Sequence, residues 1–161
     1  MFERPTRDEW ALGVAEAVST IADCIRAQVG AIIVAKRGHT ILGLGYNGLL
    51  RGVPGCGTAS NCPRGLLSTE ECARDSDYSN CAADHAERNA IRDALDVKGI
   101  HPDELKDATL YVTRKPCPAC TTLIAAVGIG RVVVRGEEST QCSPQDEALR
   151  SMLNQAVNSR A

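Results

Sequence analysis

Apolar residues at Trp10, Leu12, Val14, Ala17, Val18, Ile21, Ala22 and Ile25 recur close to helical spacing and predict a helix over 8–25. Thr6 stands just before it with Glu9 three residues on, the pattern of a capping box. The period then changes. Residues 28–35 form a near-continuous β-branched run, which suits a strand buried on both faces. Lys36, Arg37 and Gly38 supply a turn, and 39–46 reads as the hairpin partner.

From 47 to 80 all periodicity is lost, and a stretch of that length is uncommon in a compact domain unless it is functional or pinned. Asp84 is placed to cap a helix carrying His85, Ala86, Ala90, Ile91, Ala94 and Leu95, which ends near Gly99. A short strand over 109–113 and a helix over 117–127, stopped by Gly128 and Gly130, come next. A strand over 131–135 and a polar-faced helix over 144–157, with Leu149, Met152, Leu153 and Val157 on one side, complete the order. That order is α-β-β-α-β-α-β-α. Its two helix-to-strand crossovers predict parallel pairing in the second half of the sheet, with an antiparallel hairpin first. The expected fold is three-layer α/β/α, a mixed sheet between helices.

Composition narrows the picture. At 161 residues and 43% apolar content the chain fits one domain, 1–161, with a cysteine-rich loop at about 47–82. A net charge of −2 and 3% aromatics leave no basic stripe with stacking rings, so a polynucleotide partner is not expected. The charged N-terminus has no signal-peptide pattern, and no apolar run approaches the ~18 residues of a membrane span, so the cytoplasm is the expected location, with no membrane partner. Eight cysteines in such a setting point to metal binding or catalysis rather than to disulfides.

Chemistry concentrates at His85 and Glu87, and at Cys117 and Cys120 behind Pro116. One imidazole and two thiols are good zinc ligands, and three of them leave a fourth tetrahedral position for water, as in catalytic sites. Cys117 and Cys120 lie on one side of a helix start, where the helix dipole favours thiolates. Pro116 and Pro118 suit that first turn. A Cys-x-x-Cys alone equally describes a redox pair; the His-x-Glu shifts the balance to metal. His-x-Glu followed by Pro-Cys-x-x-Cys is the signature of zinc-dependent nucleobase deaminases, with the glutamate carrying protons. One point stays open. Residues two apart on a regular helix diverge by about 200°, so either His85 sits in an irregular first turn or Glu87 bends back.

With these residues in place, the chain resembles the deoxycytidylate (dCMP) deaminase branch of the cytidine deaminase superfamily. The resemblance is carried by residues 24–34, 43–48, 85–91, 110–113 and 116–120, in the family's order. It implies a five-stranded mixed sheet, hydrolysis of dCMP to dUMP and ammonia for thymidylate synthesis, and catalytic zinc on His85, Cys117 and Cys120. Glu87 would shuttle the proton and Asn47 would touch the sugar, although Asn47 read alone is a turn residue. The resemblance also implies a second, structural zinc, for which Cys24, Cys56, Cys62 and Cys81 are favoured, with Cys72 as substitute. Arg26 reads as a phosphate contact or a solvated side chain, and so do Arg114 and Lys115, which depart from the family pattern. Also implied are a nucleotide substrate, a homo-oligomer (commonly a hexamer), and regulation by dCTP and dTTP. The alternatives are a deaminase of another cytosine nucleotide, nucleoside or small-molecule base, and a non-catalytic zinc-binding domain, against which Glu87 weighs. His39 and His101 read as surface residues, and Cys142 as an ordinary thiol.

Overall fold

The computed structural model describes residues 3–49, 52–59, 62–68, 70–72, 78, 81–137 and 140–141. Helix α1 covers Arg7–Ser19 and starts as its sequence predicts. The Thr6 backbone N–H donates to the Glu9 carboxylate (2.7 Å), and the Glu9 N–H donates to the Thr6 hydroxyl (3.2 Å). It ends six residues before the expected position. Ser19 and Thr20 turn their hydroxyls onto the carbonyls of Glu16 and Ala17 (2.7 Å each), which competes with further helical bonding. The apolar period beyond that point serves no continuous core face, and Ile21 and Ile25 are exposed.

Strand β1 (Gly30–Val34) is buried along its whole length and pairs antiparallel with β2 (Ile41–Tyr46). The cysteine-rich stretch holds two short elements that its aperiodic sequence did not predict: α2 (Cys56–Ala59) and a 3₁₀ turn (Pro63–Leu66). Its ends meet at a bridge between Gly48 and Asp84, where each N–H donates to the other's carbonyl (3.1 and 2.9 Å). Helix α3 (Ala86–Arg92) follows and runs into a π turn over Asp93–Val97. Its N-cap is His85, not Asp84. Asp84 is taken up by the bridge and by Arg92, whose guanidinium lies 3.0 Å from its carboxylate. A short α4 (Pro102–Leu105), also unforeseen, is capped by exposed His101 with Glu104 reaching back. Then come β3 (Thr109–Val112), α5 (Pro118–Ala126), β4 (Arg131–Val134) and β5 (Thr140–Gln141). The helix expected over 144–157 and Cys142 lie outside the described residues.

The sheet has five strands in the order β2-β1-β3-β4-β5. The mixed sheet between helices is the expected architecture, with one correction to its pairing. Among the described residues only β3 and β4, joined through α5, form a parallel pair. The crossover from β2 through α3 must pass over β1, because the hairpin already occupies that side of β2. So β2 and β3 run in the same direction with β1 antiparallel between them.

Each face of the sheet carries its own core. Ala86, Ala90, Ile91 and Ala94 of the α3 segment and Ile124 of α5 pack on one face with Ile33, Leu110 and Val112. Ala11, Ala15 and Val18 of α1 cover the other, with Ile32, Val34, Tyr111 and Val133. On that second face Tyr111, fully buried, donates its hydroxyl to Asp8 (2.8 Å), and the Arg131 fork grips the same carboxylate at 2.9 and 2.6 Å. The Arg131 hydrogen bonds hold the Asp8 carboxyl below the usual carboxylate range. Among the described residues no helix is long and apolar enough to cross a membrane.

Candidate active site

Strands β2 and β3 point the same way, and the helices that follow them, α3 and α5, both start at the carboxyl ends of the sheet. A crevice there is the usual ligand position in α/β folds. His85 has extended backbone (φ −80°, ψ 154°) and stands just outside α3. Glu87 lies inside the first turn. That resolves the spacing question: the imidazole is free of the helical period, so the two side chains converge without either bending back. Cys117 is the extended N-cap of α5 (φ −73°, ψ 165°), with Pro118 at the first helical position and Cys120 in the first turn.

These three residues meet. His85 Nδ1 lies 3.4 Å from Cys117 Sγ and 3.3 Å from Cys120 Sγ, and all three donor atoms are within 4.8 Å of one another. Zinc–sulfur and zinc–nitrogen bonds at a tetrahedral angle would set an N···S edge of about 3.6 Å, so the donor set fits that ion. The electrostatics agree. Burial pushes the Cys120 thiol well above its ordinary range, and the neighbouring Glu87 and Cys117 push it further. Such a set of mutually repelling acids, taken out of water, is stabilised by a divalent cation among them. Glu87 is 4% exposed, and its burial raises its carboxyl above the ordinary glutamate range, against the pull of its own N–H, the His85 charge and the Cys120 thiol.

The centre opens into a cavity of about 290 Å³. Every sequence-predicted site residue except Cys120 lines it: Asn47, Arg26, Arg114, Lys115, His85, Glu87, Cys117 and the four cysteines Cys24, Cys56, Cys62 and Cys81. Asn47 is held rigidly. Its Oδ1 accepts from the Val29 N–H (2.7 Å) and its Nδ2 donates to the Ala27 carbonyl (2.8 Å). Arg26 donates to the carbonyls of Arg64 and Leu67, which binds it to the cysteine-rich loop. Arg114 and Lys115 are exposed.

Burial raises the Cys56 thiol, and the neighbouring Cys62, Cys24 and Cys81 add to that rise. Asp23 clasps this group from outside, accepting from the Thr58 N–H (3.1 and 3.0 Å) and the Thr58 hydroxyl. Among the described residues, though, only His85, Cys117 and Cys120 are drawn together as a compact metal-ligating group. Cys72 lines the cavity but is not among the groups acting on Cys56.

Two cavity residues escaped the sequence reading. Arg64, 6% exposed, and Tyr78 both sit in the aperiodic stretch, where no spacing distinguishes them. Arg64 lies over the Tyr78 ring (4.4 Å to its centre), and that ring meets the His85 imidazole edge-on (4.7 Å between centres, 81° between planes).

An imidazole and two thiols beside a buried carboxyl, at the carboxyl ends of an α/β/α sheet, define a zinc-dependent deaminase site. Residues 5–135 match the family described as the cytidine and deoxycytidylate deaminase zinc-binding region, and the chain belongs to that family. It is 46% identical over 136 residues to the deoxycytidylate deaminase of Mycobacterium phage D29, a match covering 82% of this chain and 96% of the phage protein. It is 32% identical over 130 residues to that of Schizosaccharomyces pombe, covering 81% of this chain but 37% of the yeast protein. Among solved structures it resembles the dCMP deaminase of cyanophage S-TIM5 in complex with dCMP and dUMP. That match has 25% identity and a TM-score of 0.60, covering 94% of this chain and 95% of the other.

Proposed function

We propose that this chain hydrolyses the exocyclic amine of deoxycytidylate, giving deoxyuridylate and ammonia. The observation that carries the reading is the buried Glu87 carboxyl set beside the compact His85, Cys117 and Cys120 donor group at the cavity. His85, Cys117 and Cys120 would hold the zinc, which would supply Lewis acidity toward water at neutral pH. Glu87 would accept the first proton of the water and deliver it to the pyrimidine ring nitrogen beside the amine-bearing carbon as the water oxygen bonds to that carbon. It would then carry the second proton of that oxygen to the amine, whose C–N bond breaks to release ammonia as the carbon becomes a carbonyl. Its low exposure keeps it free of bulk water, so its proton goes to the base. Asn47, whose amide is oriented by Val29 and Ala27, presents its remaining capacity to the sugar. Arg114, Lys115 and Arg26, all exposed and all lining the cavity, supply positive charge for the 5′-phosphate.

The reading includes a single deaminase domain and a second, structural zinc on Cys24, Cys56, Cys62 and Cys81, supported by the nearness of the other three to Cys56. By resemblance it also includes a cytoplasmic homo-oligomer responsive to dCTP and dTTP. Ammonia release from a panel of dCMP, CMP, dCTP, deoxycytidine, cytidine and guanine tests the substrate. The highest kcat/KM is expected for dCMP. Turnover of cytidine with none of dCMP overturns the assignment.

A further inference from the structure

We propose that Tyr78, clamped by the Arg64 guanidinium, is a positioning residue for the His85 imidazole, and that through it the cysteine-rich loop sets the geometry of the catalytic metal site. The inference rests on His85 being a ligand of that metal. A metal-ligating histidine is normally oriented by whatever holds the rest of its ring. Here Nδ1 faces the two sulfurs, and among the described residues Nε2 has no hydrogen-bond partner. The edge-on contact with Tyr78, at 4.7 Å and 81°, is what limits the tilt of the ring. Tyr78 is held in turn by Arg64, a cation 6% exposed and lying over its ring, where removal from water strengthens the attraction.

Both members of the pair are tied to the cysteine group, each through a different thiol residue. Arg64 sits in the 3₁₀ turn that Cys62 caps, with Cys62 Sγ accepting from the Gly65 N–H at 3.3 Å. Arg26 holds the same turn by the carbonyls of Arg64 and Leu67. The Tyr78 carbonyl accepts from the Cys81 N–H at 2.8 Å. Two short links, one through the Cys62 sulfur and one through the Cys81 backbone, therefore run to one aromatic ring, and from that ring to the catalytic imidazole. Any rearrangement of Cys62 or Cys81, as on gaining or losing a metal, moves the surface against which His85 rests.

The test uses the zinc-loaded enzyme with Tyr78→Leu, Tyr78→Phe and Arg64→Gln. In Tyr78→Leu, zinc at the catalytic centre is expected to pass to a chelator about 10- to 100-fold faster. Its kcat is expected to fall, with KM for dCMP little changed. The cobalt(II)-substituted form should show shifted visible bands. Tyr78→Phe, which keeps the ring, should restore all three readouts, and Arg64→Gln should move them in the direction of Tyr78→Leu. Circular dichroism identifies a variant that has not folded, and the other two then decide the outcome: Arg64→Gln with wild-type zinc release and cobalt bands overturns the proposal, as does a Tyr78→Phe that fails to match wild type. Wild-type zinc release in Tyr78→Leu, or a raised KM as its only change, also overturns it. A wild-type protein with neither zinc nor ammonia release would instead remove the active-site reading beneath it.

Discussion

Glu87 is an acid kept almost out of water beside two thiols, an arrangement that costs stability unless a cation and a reaction justify it. Replacing it with glutamine keeps shape and hydrogen-bonding reach but removes the proton carrier. Glu87→Gln is expected to lower kcat by between about 10²- and 10⁴-fold while zinc content and fold are retained, as measured by steady-state kinetics and metal analysis on one preparation. Substantial residual turnover would show that another group moves the proton. The case differs from that of Asn47, where the side chain also supports the fold. Its amide links 47 to the backbone at 27 and 29, so its removal would disturb the cavity wall as well as any sugar contact.

Helix α3 reaches the metal centre because it lies almost on the sheet. Gly43 and Gly45 of β2 face it, and a Cβ at either would run into the backbone at Ala86, Asn89 or Ala90, or into the backbone and side chain of Ala94. Small residues on both sides let the two elements approach, and Asn89 fixes the offset by donating to the Tyr46 carbonyl (2.8 Å). Gly45→Ala should therefore destabilise the protein by about 1–3 kcal/mol and reduce activity as well, since the helix start that bears Glu87 and follows His85 is displaced. Urea unfolding and kcat measured together check this. Gly13, exposed in α1 with nothing within 4 Å of where a Cβ would stand, is the contrast. Gly13→Ala should stabilise by about 0.5–1 kcal/mol and leave kcat unchanged.

For the chain as a unit, the cysteine-rich stretch is the unusual part. Its ends are joined by the Gly48–Asp84 bridge, its middle is held by the Arg26 and Asp23 clasps, and its Cys62 and Cys81, with Cys24 from before it, lie near Cys56. A closed zinc site there would tie the described parts of this long stretch to one another. Metal analysis of pure protein is expected to give about two zinc per chain under this four-ligand model. Cys56→Ser and Cys120→Ser should each lose one, with only the second abolishing chemistry directly. A single zinc in the wild type refutes the second site.

Much of this is legible along the chain itself. The capping box at Thr6 and Glu9, the buried run of β1, the Cys117 and Cys120 helix start and the His85, Glu87 pair are local signals, because period, capping chemistry and ligand spacing all act within a few residues. Other features depended on distant partners. The one parallel pair among the described residues came from the hairpin occupying one side of β2, whereas the early end of α1 was itself local, two hydroxyls turning onto carbonyls three residues back, which the apolar period does not reveal.

The kinds of residue available for chemistry, and the order of the main elements α1, β1, β2, α3, β3, α5 and β4, were set by short-range pattern along the chain. Their convergence was not. That His85 stands outside its helix, that Glu87 is sealed from water, and that Arg64 and Tyr78 meet the metal-site histidine follow from long-range packing. An aperiodic loop carries no internal rule for where its side chains go, and only the surfaces it closes against decide it.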